Sequence, residues 1–231
     1  NRDPLKANLK MIGEHIKKAR EIAPKGILGV NIMVATQNYS KYVTESIKNG
    51  IDLIISGAGL PIDLPKIAKG SRAKLIPIVS SLKSASVILK MWDRKSNISP
   101  DAVIIEGPMA GGHLGFKYDE LCGDSETNKN LVSESSHFDK EIKKIISLVR
   151  TYEVKYNKSI PVVLAGGINT KEDMEHAFSL GAQGIQVGTK FIPTEECDAD
   201  INYKKAYLNI NKDDLSIIKS PVGMPGRAIK N

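Results

Sequence analysis

Residues 160–191 read "IPVVLAGGINTKEDMEHAFSLGAQGIQVGTKF", and the parsing of this stretch decides the fold. A short Val-rich apolar run opens it and ends in Gly166-Gly167, where a strand would give way to a loop. Thr170 followed by Asp173 has the pattern of a helix N-terminal capping box, and Gly181 stands where that helix would stop. A second apolar run, "GIQVGT" (184–189), then closes on Gly188-Thr189. Strand, helix and strand in such close succession make a β/α unit, whose two strands lie parallel.

The same grammar extends toward the N-terminus. Strands are expected at "GILGVNIMVA" (26–35), "IDLIISG" (51–57), "KLIPIVS" (74–80), "DAVIIEG" (101–107), "IPVVLAGG" (160–167) and "GIQVGT" (184–189). Each is nearly continuous in apolarity, as parallel strands covered by helices are. Helical periodicity marks residues 4–23, 39–49, 62–69, 83–95, 138–157 and 171–180. The strand entries "NGIDLIISG", "SPDAVIIEG" and "LGAQGIQVG" resemble one another, a weak internal repetition that stacked β/α units produce.

Strict alternation leaves two α/β architectures, a doubly wound open sheet or a (β/α)8 TIM barrel. Gly57, Gly107, Gly166, Gly167 and Gly188 fall at the carboxyl ends of their strands, which in a barrel share one ligand-binding rim. No GxGxxG fingerprint follows the first strand, so the dinucleotide-binding alternative is disfavoured. The expected fold is therefore a TIM barrel occupying residues 1–231 as a single domain. Six strands are counted where a closed barrel has eight, so two β/α units are expected to be missing before residue 1.

Two successive glycine-bearing strand ends let backbone N–H groups approach a phosphate without an intervening Cβ, and Thr189 adds a hydroxyl donor. In barrels of this kind that pair of strands is the usual phosphate site. The alternative is that these glycines merely make tight turns.

"EGPMAGGHLGF" (106–116) places four glycines, a proline and His113 after another strand end. His15, His137 and His176 lie in helical or polar surroundings and are expected to be solvated or structural. His113 shares the expected rim with the phosphate cradle. An imidazole there suits proton abstraction or the holding of an anion.

Composition narrows the function classes. The net charge of +7 comes from lysines scattered over helix faces, and only 5% of residues are aromatic, unlike a nucleic-acid reader. No apolar run reaches the roughly 18 residues of a membrane span, and no signal-peptide pattern opens the sequence. Cys122 and Cys197 form no CxxC pair, so no metal site is expected and the compartment is expected to be cytoplasmic.

"GVNIMVA", "SGAGLP", "PIVSS", "EGPMAGGHLG", "PVVLAGGI", "GIQVGTKF" and "SPVGMPGRAI" occur in an order that resembles the nitronate monooxygenase (2-nitropropane dioxygenase) family. The related FMN-dependent enoyl-acyl-carrier-protein reductases share much of this pattern. The resemblance covers nearly all of residues 26–231 and implies a barrel holding non-covalent FMN. It implies cofactor contacts at Asn31, Glu106, Gly111, Gly166, Gly167, Gln186, Val187, Gly188 and Thr189. His113 matches the catalytic histidine, and Ser220 matches a segment that approaches the substrate pocket. The family's opening QGGM- or QGPM-like segment is missing, as is a segment expected after Asn231, so the chain resembles a fragment of a longer enzyme. Leu114 follows His113 where many nitronate monooxygenases carry arginine. Cys122 is read as incidental.

The resemblance implies an enzyme that oxidises alkyl nitronates or nitroalkanes with O2, acting on a small molecule, as a homodimer. Two alternatives stand beside it: an NAD(P)H-dependent reductase of enoyl thioesters or quinones on the same scaffold, and a non-catalytic phosphate-binding fragment.

Overall fold

The computed structural model describes residues 3–122, 135–220 and 223–230, and side chains 135–137 and 212 lie outside that description. The reading of His137 as solvated or structural therefore falls outside the described residues. In chain order the elements begin with α1 (Pro4–Ile22), β1 (Gly29–Met33), α2 (Tyr39–Lys48), β2 (Leu53–Gly57) and α3 (Leu64–Ile67). Next come β3 (Lys74–Val79), α4 (Leu82–Ser96), β4 (Val103–Glu106), β5 (Gly112–His113), α5 (Tyr118–Cys122) and α6 (Ser135–Tyr156). β6 (Val162–Ala165), α7 (Lys171–Ser179), β7 (Gly184–Gln186), α8 (Ile201–Asn209), β8 (Leu215–Lys219) and β9 (Pro225–Ile229) complete them.

All six expected strands are present, most of them trimmed at the ends, where ladder pairing stops. The helix expected over 62–69 shrinks to Leu64–Ile67. Pro65 fits only its first turn, and Gly70, at φ 81°, lies in left-handed backbone just beyond it.

The chain divides into two compact units. The first comprises Asn1–Val79, Lys83–Val103 and Leu148–Ile160. Here β1, β2 and β3 run parallel, with Asn31 opposite Ile55 and Ile55 opposite Ile76. Parallel neighbours need a crossover, supplied by the segments carrying α2 and α3. Val43, Ile54, Leu64, Ile88, Leu89 and Trp92 form its apolar interior, all essentially inaccessible to water. The Trp92 indole N–H donates to the Pro61 carbonyl at 2.9 Å, so the largest core side chain leaves no orphan donor.

Asp52 fastens the start of this sheet. Its carboxylate accepts from the Leu28 N–H at 2.8 Å and from Arg20 at 2.6 Å, while Arg20 also donates to the Gly26 carbonyl. The Leu28 N–H, and then Arg20, hold the Asp52 carboxyl below its ordinary range.

The second unit comprises Ser80–Leu82, Ile104–Ser147 and Pro161–Asn231. β4, β6 and β7 are neighbours in that order, and β6 and β7 pair in parallel with Ala165 opposite Gln186. α7 is capped as its sequence implies. Thr170 Oγ1 accepts from the Asp173 N–H at 3.2 Å, and the Asp173 carboxylate accepts from the Thr170 and Asn169 N–H groups, each at 2.9 Å. Gly181 follows at φ 102°, the left-handed backbone that ends the helix.

This unit also contains an antiparallel sheet, β5-β9-β8, which the sequence reading did not anticipate. Gly112 pairs with Arg227 and His113 with Gly226, while β8 and β9 form a hairpin in which Ile217 faces Arg227 across the ladder. The glycine-rich stretch 106–116 is thus not loop throughout: its centre is a short strand on the edge of this sheet.

Candidate functional site

The site is built within the second unit from the loop after β4 outward. Beyond Glu106 the chain turns sharply: the Gly107 N–H donates to the Ala165 carbonyl at 2.8 Å, and the Ala110 N–H returns to the Gly107 carbonyl at 3.2 Å. Gly107 is buried, and a Cβ there would stand 3.1 Å from the Phe138 ring. Phe138 packs edge-on against Phe116, with ring centres 5.8 Å apart. Leu114 is 1% exposed and clusters with Ala110, Leu121, Phe116 and Ile217. The residue beside His113 is therefore an apolar anchor facing inward.

His113 itself is exposed. Its Nε2 lies 3.1 Å from Ser220 Oγ. With Nε2 unprotonated the serine hydroxyl donates; with Nε2 protonated the ring donates. Ser220 is held by the turn between β8 and β9, where its N–H donates to the Met224 carbonyl and its carbonyl accepts from the Gly223 N–H. Both partners of the pair are thus carried by one antiparallel sheet.

Arg227 ties this sheet to the loop. Its Nε donates to the Ala110 carbonyl at 3.2 Å and its Nη2 to the Pro108 carbonyl at 2.8 Å. Burial lowers the guanidinium's pKa from its ordinary value.

The glycines after β6 and β7 have two distinct roles. Gly166 and Gly167 adopt φ 95° and 80°, and their missing Cβ atoms face the histidine loop. A Cβ at Gly166 would meet the Gly107 carbonyl at 2.9 Å, and one at Gly167 would meet Met109 Cβ at 2.6 Å. They bring two loops into contact. Gly188 is different: a Cβ there would stand in open space. It precedes the 3-10 turn Thr189–Phe191 without a capping side chain, and its carbonyl accepts from the Phe191 N–H at 2.9 Å. A Cβ at Gly111 would lie 3.1 Å from Thr189 Oγ1, which sets that hydroxyl directly beside the histidine loop.

Lys190 bridges the two glycine loops by donating to the Asn169 carbonyl at 2.5 Å. Glycine N–H groups, a threonine hydroxyl and an ammonium group gathered at two adjacent strand ends are a donor set suited to a phosphate. The N-terminus of α7 contributes less than its position suggests, because the Asp173 carboxylate already occupies N–H groups at that end. Beside the cradle, Gly188, Phe191, Ile192, Thr194, Glu196 and Cys197 line an open cleft of about 600 Å³.

Glu106 is half-buried at the end of β4. Burial pushes its carboxyl up to about 7 from the ordinary 4.5, so near neutrality it divides between acid and carboxylate.

Of the residues singled out in the sequence, Glu106, Gly111, His113, Gly166, Gly167, Gln186, Val187, Gly188, Thr189 and Ser220 all fall in the second unit. His113 meets Ser220, Gly111 meets Thr189, and Gln186 lies opposite Ala165 in the ladder. Asn31 belongs to the first unit, where it is an exposed residue in the middle of β1. Arg227 and Lys190 escaped the sequence reading. Their signals were a lone arginine in "PGRAI" and a lysine directly after the second glycine motif. Among the described residues no helix is long and apolar enough to cross a membrane.

A family model described as nitronate monooxygenase matches residues 3–231. The chain belongs to the nitronate monooxygenase family. It is 28% identical over 201 residues to a probable nitronate monooxygenase of Staphylococcus saprophyticus, covering 86% of this chain and 50% of that protein. A second such protein, from Staphylococcus haemolyticus, is 26% identical over 196 residues, covering 84% of this chain and 48% of its own length. The chain thus spans about half the length of the curated relatives it matches.

Among solved structures, FabK from Thermotoga maritima superposes with a TM-score of 0.72 at 25% identity, covering 96% of this chain and 60% of that one. A nitroalkane oxidase from Streptomyces ansochromogenes superposes with a TM-score of 0.69 at 18% identity, covering 96% of this chain and 67% of that one. The likeness establishes the (β/α)8-barrel fold class for this member of the nitronate monooxygenase family.

Proposed function

We propose that this nitronate monooxygenase family member acts as an FMN-dependent oxidoreductase that oxidises alkyl nitronates with O2, and that residues 1–231 serve as one FMN-binding domain. The observation that carries the reading is the His113–Ser220 pair, 3.1 Å apart, on a loop that packs against the two phosphate-type glycine motifs. The donor set fits the cofactor: Gly166, Gly167, Gly188, Thr189 and Lys190 would hold its phosphate. Gly111, Gln186 and Val187 would serve its ring. Bound FMN would supply the two-electron acceptor that passes electrons from substrate to O2.

The chain's own residues bind and handle the proton. The His113 imidazole takes a proton from the α-carbon of a neutral nitroalkane, or as imidazolium holds a preformed nitronate anion. When Nε2 carries a proton it donates to Ser220 Oγ, which fixes the ring and leaves the serine hydroxyl proton for a substrate oxygen. Glu106, poised near neutrality, accepts or donates a proton at the strand end. We place the protein in the cytoplasm and expect a homodimer.

The test is oxygen uptake with propionate-3-nitronate. Uptake that falls by about 10²-fold or more in His113→Ala supports the reading; uptake indifferent to that substitution refutes it. A second reading, NAD(P)H-dependent reduction of enoyl thioesters or quinones, is favoured by the FabK likeness. Anaerobic flavin bleaching by NADH or NADPH, with reoxidation by crotonyl thioester or a quinone, distinguishes it.

A further inference from the structure

We infer that Arg227 is a positioning residue for the His113 loop, and that the proposed reaction depends on its two main-chain hydrogen bonds. The inference rests on the reading of His113 as the catalytic base or anion holder, and it goes beyond that reading by naming what fixes the imidazole.

Arg227 occupies an unusual place for an arginine. Its guanidinium is part-buried, and the partners it meets are the carbonyls of Pro108 and Ala110, 2.8 and 3.2 Å away. Main-chain carbonyls are neutral acceptors, and burial imposes a desolvation cost on the guanidinium they hold. A cation kept there has a geometric use. The planar fork spans alternate carbonyls of one loop, which a lysine's single ammonium matches less well.

The backbone of Arg227 acts on the same loop. It lies opposite Gly112 in the β5–β9 ladder, and the neighbouring Gly226 lies opposite His113. The Leu114 N–H closes the far side by donating to the Pro225 carbonyl at 2.9 Å. Side chain and strand therefore grip residues 108–114 from both ends, with His113 between the attachments. The loop needs such a grip. Gly111 and Gly112 give it backbone freedom, Gly112 standing at φ 76°, and His113 is exposed with Ser220 as its polar contact. A base displaced by about 1 Å can lose about 10²-fold in rate without any change in its own chemistry.

Arg227→Met keeps the apolar stem and removes both donors, while Arg227→Lys keeps the charge and can restore one of the bonds. With propionate-3-nitronate, Arg227→Met is expected to lower kcat roughly 10- to 100-fold and leave KM within about twofold. Arg227→Lys should recover part of kcat. In hydrogen exchange on the same proteins, the Leu114 and Ala110 amides of Arg227→Met should exchange at least about tenfold faster.

A kcat unchanged in Arg227→Met, or a loss confined to KM, would overturn the inference. So would a lysine variant no better than methionine. Should Arg227→Met fail to fold, Arg227→Lys must still show a reduced kcat with unaltered KM. If the unsubstituted protein does not oxidise the nitronate, the functional reading fails separately. The exchange rates then decide the positioning role, and equal rates at Leu114 and Ala110 refute it.

Discussion

Glu106 concentrates the electrostatic consequence of the site in one residue. Its carboxyl titrates at about 7 in the folded chain against an ordinary 4.5, with burial as the cause. The folded protein therefore binds more protons than the unfolded one between those values, and stability falls as pH rises through the window. The contribution is fully present below about pH 4.5 and is lost once pH exceeds about 7. Glu106→Gln removes the titration. Its stability relative to the unsubstituted protein should rise from pH 4.5 to 8 by up to the order of 3 kcal/mol, read by urea unfolding at each pH. A constant difference between the two proteins across that range would contradict the assignment. The family resemblance singled out Glu106, but no pattern of letters indicates how far a carboxyl is withdrawn from water. Arg227 was invisible for a related reason: its partners are carbonyls, which have no residue signature.

Among the elements, α7 was the most legible, because every signal that defines it is local. Thr170, Asp173 and Gly181 lie within a few residues of the helix ends, and each makes the contact its type implies. Thr170→Ala should cost about 1 kcal/mol of stability, measured as a shift in the urea midpoint. A neutral substitution would mean that tertiary packing, not the cap, fixes the helix start. The β5-β9-β8 sheet was the least legible element. "LSIIK" and "PGRAI" are short and mostly half-exposed, and two prolines in "SPVGMP" obscure the hairpin signal between them. β5 is a two-residue strand in a glycine-rich segment that pairs across more than a hundred residues of sequence. Long-range pairing leaves little local trace, yet this sheet carries both His113 and Ser220.

The molecule as a whole combines β/α alternation that the sequence announces with two compact units that it does not. The proposed single flavin domain makes a definite thermodynamic claim. With FMN bound, calorimetric unfolding should show one cooperative transition whose van't Hoff and calorimetric enthalpies agree. Two resolved transitions would assign the units to separate domains. The chain spans about half the length of the matched relatives. The purified protein should carry the visible absorbance bands of a flavin, and the nitronate reading depends on that cofactor. The most direct measurement is oxygen uptake by the flavin-loaded protein with propionate-3-nitronate, beside His113→Ala. The account expects uptake in the first and a loss of about 10²-fold or more in the second. Flavin-loaded protein that consumes no oxygen with the nitronate, or equal uptake by both proteins, would contradict it.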